Sequence, residues 1–245
     1  MKNPVFCTAG SSSALRHAAN QLVHWGYEVA HFPSREVTHL LLPVPSFEAD
    51  GKLKGGAQLE AVLAQLPADT VVLGGNLPAL PFPCIDFLKD EYYLQENAAI
   101  TARCTLSLIQ QKQKTIPGAK ALVIGWGRIS KQLAPLLQSA GAQVTIAARQ
   151  EPHWMEAITS GYETVETGKW DATHFDIIIN TAPAPLLNET AVRPDALLVD
   201  LASVQGISGE RVIWARGLPN KDAPDASGTL IAKTALRFAL RKEFL

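Results

Sequence analysis

The feature that most constrains the fold is a glycine-rich turn at residues 125–130 (GWGRIS), which lies between an apolar strand pattern and an amphipathic helix pattern. The helix pattern places apolar side chains on one face, at Leu133, Ala134, Leu136 and Leu137. A second strand pattern follows at residues 143–148. Glycines in this strand–turn–helix–strand context predict a parallel α/β domain, which the glycine spacing alone would not.

The turn also has the features of a phosphate-binding site. Gly125 permits a tight turn, and Gly127 lets the backbone approach a pyrophosphate. The helix N-terminus, at Arg128 and Ile129, offers unpaired N–H groups and the positive end of the helix dipole. Ser130 replaces the third glycine and is small enough for the helix to pack on the strand. The turn therefore predicts a Rossmann dinucleotide site; the alternative is a structural turn without a ligand, in which Arg128 faces water.

The end of the second strand predicts which dinucleotide binds. NAD-specific sites place Asp or Glu about 20 residues beyond the glycines, where it binds the ribose hydroxyls. Here the strand ends in Ala148, Arg149 and Gln150, with no carboxylate before Glu151. Because Arg149 can pair with a 2′-phosphate through charge-assisted hydrogen bonds, NADP(H) is predicted in preference to NAD(H). The alternative is that Arg149 is a solvated residue at the strand end.

Three further strand patterns lie at residues 176–180, 197–201 and 212–215. The carboxyl ends of parallel strands meet in one crevice, where open α/β sheets bind ligands. The residues predicted to line the nicotinamide half are Thr181, Ala182, Pro183, Ala202 and Ser203. Asn180 and Ser203 are candidates for polar contacts, and for both the alternative is a local role in capping the strand end or turn.

The N-terminal half alternates strand and helix patterns in the order β-α-β-β-α-β. The strand patterns are at 5–9, 27–32, 39–44 and 70–73, and the helix patterns at 15–23 and 59–66. A short strand is predicted at 84–87, a long helix at 96–113 and a closing helix at 226–240. The chain is therefore predicted to be α/β with two doubly wound parallel-sheet domains. These are a small flavodoxin-like or Rossmann-like domain at 1–95, a bridging helix at 96–118, and an NAD(P)-binding Rossmann domain at 119–245.

Composition and charge exclude several classes of function. The net charge of −1 gives no electrostatic footprint for nucleic acid or an acidic membrane surface. Three cysteines without a CxxC pair favour a reducing cytoplasm, and the six histidines lack metal-ligand spacing. No apolar run approaches the roughly 20 residues that span a bilayer. The start of the chain, from Met1 to Pro4, runs directly into a strand pattern, so no signal peptide is expected.

Several segments together resemble a known family. The patterns VIGWGRIS, TIAAR, IINTAPAPLL, LLVDLAS and GLP are similar to the A subunits of bacterial dipicolinate synthases. Upstream, HLLLPVPSFEADGK and LKDEYYLQENAAIT resemble the corresponding segments of that family. The resemblance covers most of the chain and is strongest over residues 119–219. The expected fold also resembles the nucleotide-binding domain of D-2-hydroxyacid dehydrogenases and, more distantly, shikimate dehydrogenases.

The resemblance implies an NADP-linked oxidoreductase subunit that works with a flavoprotein-like B subunit. In that family the pair converts a dihydrodipicolinate precursor to dipicolinate during sporulation, and a homo-oligomer is expected. The cofactor residues it implies are Gly125, Gly127, Arg128, Ile129 and Arg149, with Thr181, Ala182 and Pro183 under the nicotinamide ribose. Asn97 and Thr101 would face a substrate cleft, and the alternative for Asn97 is a helix N-cap.

The chain also departs from that family. Arg103 stands where the family has an acidic residue, and the segment after Pro219 reads NKDAPDASG where the family has a glycine and a Lys-Thr-Ala-Gly helix start. A guanidinium in place of a carboxylate would either favour an anionic small-molecule substrate or form a new internal ion pair. Arg16 and Arg103 are candidates to hold the carboxylates of such a substrate. No residue is set apart by spacing as catalytic.

Of two alternative functions, the sequence disfavours the first and leaves the second open. A D-2-hydroxyacid dehydrogenase would need an arginine where Ser203 stands and a histidine beyond His174, and the sequence has neither. The second alternative is a non-catalytic dinucleotide-binding module that senses redox state, and it is compatible with the absence of an acid–base group. Hydride exchange with a cyclic imine acid distinguishes the enzyme from the module.

Overall fold

The structure, a computed structural model, describes residues 3–112 and 115–240. Contacts divide these residues into two compact units. The N-terminal unit consists of residues 3–97 and 219–240, and the Rossmann unit consists of residues 98–218. The predicted helix end at Gln113, the starting residues Met1 and Lys2, and the end of the predicted domain at 241–245 lie outside the described residues.

The N-terminal unit is built on one parallel sheet. Its strands are β1 (Val5–Thr8), β2 (Glu28–Ala30), β3 (His39–Leu41), β4 (Val71–Gly74) and β5 (Cys84–Asp86). Its helices are α1 (Ser13–His24), α2 (Leu59–Leu63), the first turns of α3 (Glu91–Lys112), most of α6 (Leu218–Asp222) and α7 (Pro224–Ala239). The strand order is β2-β1-β3-β4-β5 with every pair parallel, which is the flavodoxin-like order.

Apolar side chains from the strands and from α2 form the core of this unit. The fully or nearly buried members include Cys7, Leu40, Leu42, Leu59, Leu63 and Val72. The central strands β1, β3 and β4 are short and largely buried, as parallel strands covered by helices must be, whereas the edge strands β2 and β5 expose Glu28 and Cys84. Ser12 caps α1, because its Oγ accepts a hydrogen bond from the Leu15 N–H at 3.0 Å.

The last helix belongs to the N-terminal unit, which differs from the predicted domain boundary. Residues from Pro219 onward group with the first half of the chain, although the sequence pattern assigned them to the Rossmann domain. The reason is close packing of α7 on α1. A Cβ built on Gly228 would lie 2.5 Å from the His17 Cβ and 2.6 Å from the Ala14 carbonyl oxygen. Only a residue without a side chain lets the two helices approach this closely.

The Rossmann unit contains a six-stranded parallel sheet. Its strands are β6 (Lys120–Ile124), β7 (Gln143–Ala148), β8 (Glu163–Glu166), β9 (Ile177–Asn180), β11 (Leu197–Asp200) and β13 (Ile213–Trp214). The helices α4 (Arg128–Ser139) and α5 (Glu151–Thr159) link the first three, and a separate two-stranded ladder joins β10 (Leu187–Asn188) to β12 (Ile207–Ser208). The order is β13-β11-β9-β6-β7-β8, the doubly wound order in which a dinucleotide binds where the strand order reverses.

Both sheets confirm the predicted fold class, and individual elements differ in their bounds. Strand β7 has the predicted bounds, whereas α3 begins at Glu91 rather than residue 96. The earlier start follows from Asp90, whose carboxylate accepts a hydrogen bond from the Tyr93 N–H at 2.8 Å. Helix α5 and the edge strand β8 were not predicted from the sequence.

In residues 3–112 and 115–240, no helix is long and apolar enough to cross a membrane. No cluster of three or more His, Cys, Asp or Glu side chains suited to a metal ion occurs in the same residues.

Candidate functional site

The parallel register brings the ends of five strands of the Rossmann unit level with one another. Ile124 of β6 is paired with Ala147 of β7 on one side and with Asn180 of β9 on the other. Asn180 is paired with Asp200 of β11, and Asp200 with Trp214 of β13. The segments that follow these residues therefore emerge at one edge of the sheet. The register brings the predicted glycine turn and both predicted nicotinamide segments to this edge.

Gly125 makes the turn that the motif predicts. Its φ is +97°, in the region that favours glycine, and its N–H is bonded to the Ala147 carbonyl at 2.8 Å. A Cβ at this position would lie 2.6 Å from the Thr181 Oγ1. Gly125 is therefore required both by its backbone conformation and by the close approach of the next segment.

Gly127 is at the N-cap of α4 and has a different environment. Its φ of −97° is open to any residue, and a Cβ built on it would have no atom within 4 Å. No side chain caps the helix, and its first turn contains no acidic residue. An open backbone beside uncapped N–H groups suits a pyrophosphate, because the N–H groups and the helix dipole both favour an anion.

The side chain of Ser130 is completely buried. Its Oγ lies 2.8 Å from the Thr181 Oγ1, and that hydroxyl donates to the Ile124 carbonyl at 2.9 Å. The serine at the third glycine position thus joins the glycine turn to the segment after β9. Its hydroxyl is directed into the protein, so the group it offers at the edge is its backbone N–H.

Arg149 follows β7 and is exposed. The strand end beside it is held by Trp154, whose indole N–H donates to the Ala148 carbonyl. Neither Ala148 nor Gln150 brings a carboxylate to this position, as the sequence indicated. An exposed guanidinium at the end of the second strand has the chemistry to bind a ribose 2′-phosphate.

An aromatic pair supports the glycine turn. Trp126 is buried, and its ring lies 5.5 Å from that of Tyr162 in an edge-on arrangement. Burial raises the pKa of Tyr162 above its ordinary value. The pair gives the turn an apolar support.

Asn180 has the local structural role that was the alternative to a ligand contact. It is fully buried; its Oδ1 accepts from the Ala182 N–H at 3.0 Å, and its Nδ2 donates to the Asp200 Oδ2 at 3.1 Å. Ala182 is half-buried and Pro183 exposed, so the backbone after Asn180 is accessible. The segment after β9 is therefore ordered by its own strand end.

Of the two residues after β11 that are predicted to line the nicotinamide half, one is buried and one is exposed. Ala202 is 3% exposed, whereas Ser203 is exposed. The indole N–H of Trp214 donates to the Ala202 carbonyl at 3.1 Å, and the Trp214 ring is 46% exposed. Of the two predicted residues, Ser203 is therefore the one whose side chain is accessible.

The candidate substrate residues lie on two helices. Arg16 is exposed on α1, and Arg103 is exposed on α3. Thr101 is buried on α3, one turn beyond the half-buried Asn97. The N-cap alternative for Asn97 is wrong, because α3 begins at Glu91 and Asn97 lies within the helix.

Sequence reasoning did not recognise Asp200 as part of the site. This aspartate is fully buried and accepts hydrogen bonds from the Ala202, Gly206 and Ile207 N–H groups, at 2.9, 2.7 and 2.8 Å. The signal was present in LLVDL, where a charged residue closes an otherwise apolar strand. A buried carboxylate in such a position must be hydrogen-bonded, and its partners are then the following turn.

Sequence similarity to known proteins does not identify a family for this chain. No family model matches the chain. The N-(5′-phosphoribosyl)anthranilate isomerase of Alcanivorax borkumensis is 26% identical over 182 residues, which cover 65% of this chain and 83% of that protein. Identity at this level over part of the chain does not assign a family.

Comparison of structures is more informative. The A subunit of dipicolinate synthase from Bacillus halodurans superposes with a TM-score of 0.80 at 19% identity, covering 98% of this chain and 99% of that one. The corresponding protein from Bacillus subtilis gives 0.79 at 21% identity, covering 98% and 97%. The transhydrogenase of Sinorhizobium meliloti gives 0.70 at 13% identity, covering 95% and 92%. The resemblance indicated by the sequence is thus confirmed at the level of the fold: over almost its whole length, this chain folds like the A subunits of dipicolinate synthases.

Proposed function

We propose that the protein binds NADP(H) in its Rossmann unit and is an oxidoreductase subunit that oxidises a cyclic diacid similar to dihydrodipicolinate. The observation that carries the proposal is the uncapped N-terminus of α4 beside the open backbone of Gly127, at the edge where the strand order reverses. Gly125, Gly127 and the first-turn residues Arg128, Ile129 and Ser130 would hold the pyrophosphate.

Preference for NADP(H) rests on Arg149. A phosphate on the 2′-oxygen of the adenosine ribose would meet an exposed guanidinium and no carboxylate. With NAD(H), the same arginine has only hydroxyls to contact, and the carboxylate that usually binds them is absent. The expected difference in affinity is at least about tenfold, or about 1.4 kcal/mol.

Titration with NADPH and NADH tests this part of the proposal. NADPH is expected to bind the wild type more tightly, and Arg149→Ala is expected to remove most of the difference by weakening NADPH alone. The matched control is Arg35→Ala, which removes an arginine from the N-terminal unit. Equal affinities in the wild type would refute the role of Arg149, and binding of neither would leave the glycine turn purely structural.

The proposed substrate class rests on the resemblance to the A subunits of dipicolinate synthases and on the cationic side chains. Oxidation of a dihydropyridine diacid to the aromatic ring transfers a hydride to NADP⁺ and releases a proton. NADP⁺, when bound, supplies the hydride acceptor, and the protein supplies orientation and a route for the proton. Thr181, Ala182, Pro183, Ala202 and Ser203 would lie against the nicotinamide half. Arg16, Arg103, Asn97 and Thr101 are the proposed substrate contacts.

A homo-oligomer and a partner subunit belong to the same proposal and rest on the resemblance alone. Absorbance at 340 nm, a standard wavelength for NADPH, should rise when a dihydrodipicolinate-like acid and NADP⁺ are mixed with the protein and a flavoprotein-like B subunit (about one hydride per ring oxidised). Omitting the B subunit shows whether it is required. Light scattering of the purified protein measures the oligomer.

A non-catalytic dinucleotide-binding module is the second candidate. It is favoured by the composition of the edge segments 125–130, 180–184 and 200–206, which contain no His, Cys, Tyr or Lys. The carboxyl group of Asp200 in these segments is fully buried and hydrogen-bonded, so an accessible catalytic acid or base would have to come from another segment or from a partner. Tight NADPH binding without hydride exchange in the presence of the B subunit would favour this function over the enzyme.

A further inference from the structure

We propose that Asp200 and Asn180 are positioning residues for the nicotinamide half of the cofactor. They would act by fixing the two segments on which that half lies, 181–184 and 201–207. The inference rests on the proposed function, since it concerns the same dinucleotide site. It goes further because it assigns separate residues to the two halves of that site, the half for adenosine and pyrophosphate and the half for nicotinamide.

The Asp200 carboxylate accepts hydrogen bonds from several N–H groups of the turn that follows it. Its Oδ1 accepts from the Ala202 N–H, and its Oδ2 accepts from the Gly206 and Ile207 N–H groups and from the Asn180 side chain. The four donors lie 2.7–3.1 Å from the carboxylate oxygens. One carboxylate thus closes the turn from 201 to 207 on itself and ties it to the end of the neighbouring strand.

In the part of the chain that the structure describes, the Asp200 carboxyl group is paired with these donors and not with a cation. The side chain is 0% exposed, and it forms no ion pair with any described Lys, Arg or His. A buried carboxylate without a cation is costly unless its lone pairs are filled. The turn is therefore held in the one conformation that directs its N–H groups at this carboxylate.

Gly206 shows how closely the two segments approach each other. A Cβ on Gly206 would lie 2.4 Å from the Ala184 carbonyl oxygen and 2.5 Å from the Asn180 Nδ2. The Gly206 carbonyl accepts from the Leu186 N–H at 2.8 Å. The segments after β9 and β11 thus form one hydrogen-bonded unit at the edge of the sheet.

Neighbouring residues at the end of β9 reach to opposite sides. Thr181 contacts the glycine turn through Ser130, whereas Asn180 contacts the turn after β11 through Asp200. In a sheet with this strand order, the segments after β6 and β7 hold the adenosine and pyrophosphate, and those after β9 and β11 are on the other side of the reversal point. Loss of the Asp200–Asn180 link should therefore disturb the nicotinamide side more than the adenosine side.

The test compares a whole cofactor with its adenosine half. Asp200→Asn replaces one acceptor oxygen by an NH₂ group, which sets donor against donor at one or more of the four bonds. We expect the Kd of NADPH to rise at least about tenfold, and that of adenosine 2′,5′-bisphosphate, which has no nicotinamide, to change less than about twofold. At saturating ligand, the emission of bound NADPH should also differ from that in the wild type.

Asp195→Asn is the matched control, because it makes the same change at an exposed aspartate just before β11, at the opposite end of the sheet. It should leave both affinities as in the wild type. An equal loss of both ligands in Asp200→Asn would mean that the residue has only a general structural role. Unchanged NADPH affinity and emission would also overturn the proposal. Binding of neither ligand by the wild type would instead refute the proposed function itself.

Gly206→Ala provides a second variant if Asp200→Asn does not fold. Its methyl group would push apart the same two segments and leave Asp200 in place. The same selective loss of NADPH affinity is expected. A variant that keeps NADPH affinity while hydrogen exchange shows the 201–207 turn loosened would contradict the positioning role.

Discussion

At the scale of single residues, the two glycines of the turn are equivalent in the motif and different in the structure. Gly125 has φ +97° and the Thr181 hydroxyl against it, whereas Gly127 has an ordinary backbone conformation and open space beside it. The first position is constrained by the fold. The second is constrained, in our proposal, only by the cofactor that would approach it.

This difference predicts that the alanine variant at Gly125 mainly loses stability, whereas the one at Gly127 mainly loses affinity for NADPH. Gly125→Ala should lower the free energy of unfolding by about 1–3 kcal/mol, because it combines a strained φ with a close contact. Gly127→Ala should change it by less than about 1 kcal/mol but weaken NADPH at least about tenfold. Urea unfolding and NADPH titration of both variants measure the two quantities. Equal losses of stability would contradict the assignment.

At the scale of elements, the packing of α1 on α7 brings residues 219–240 into the N-terminal unit. The contact depends on Gly228, where a side chain would meet the backbone of α1 at Ala14 and Ala18. Packing favours glycine at this position, whereas helical propensity favours alanine, since glycine inside a helix costs about 1 kcal/mol relative to alanine. The sign of a substitution at this position therefore tells which effect is larger.

We expect packing to be the larger effect. Gly228→Ala should destabilise the protein by about 1–3 kcal/mol, because backbone atoms at 2.6 and 2.9 Å cannot move aside without separating the helices. The control Lys233→Ala, at an exposed position of α7, should stay within about 0.5 kcal/mol of the wild type. Thermal or urea unfolding checks both. A stabilised Gly228→Ala variant would mean that the helices adjust freely.

At the scale of the whole molecule, the dependence of stability on pH provides a test. His39 in β3 is half-buried and packs 5.3 Å from the Phe6 ring. Burial lowers the pKa of His39 from 6.5 to about 4. The unfolded chain therefore binds this proton more readily than the folded protein. The contribution of the neutral ring to stability is present above about pH 6.5 and is lost as the pH falls towards 4.

The variant His39→Phe should reduce this acid sensitivity. Between pH 7 and pH 4.5, the wild type should lose about 2 kcal/mol more stability than the variant, because phenylalanine has no group that binds a proton. Urea unfolding at both pH values measures the difference, and the carboxylates common to both proteins cancel. The same loss in wild type and variant would mean that His39 is protonated without cost in the folded state.

Much of the Rossmann unit could be predicted from the sequence because its signals are local. An apolar strand, a glycine turn and an amphipathic helix are close together in the chain, so β6, α4 and β7 were predicted in the right order, and β7 with its observed bounds. The short strand β8 was missed, because its residues ETVE are polar and partly exposed at the edge of the sheet. Asp90 as the cap of α3 was also missed, although a carboxylate before a helix is a recognised start signal.

The sequence by itself determined the fold class, the glycine turn and the absence of a carboxylate at the end of β7. Each depends on residues within one strand–helix–strand unit, where backbone conformation and periodicity decide the outcome. Only the tertiary structure decided that Asn180 is joined to Asp200, that Ser130 is joined to Thr181 and that α7 packs on α1. These contacts link segments 20 to more than 200 residues apart, and the register of the sheet and the space around each glycine bring them together.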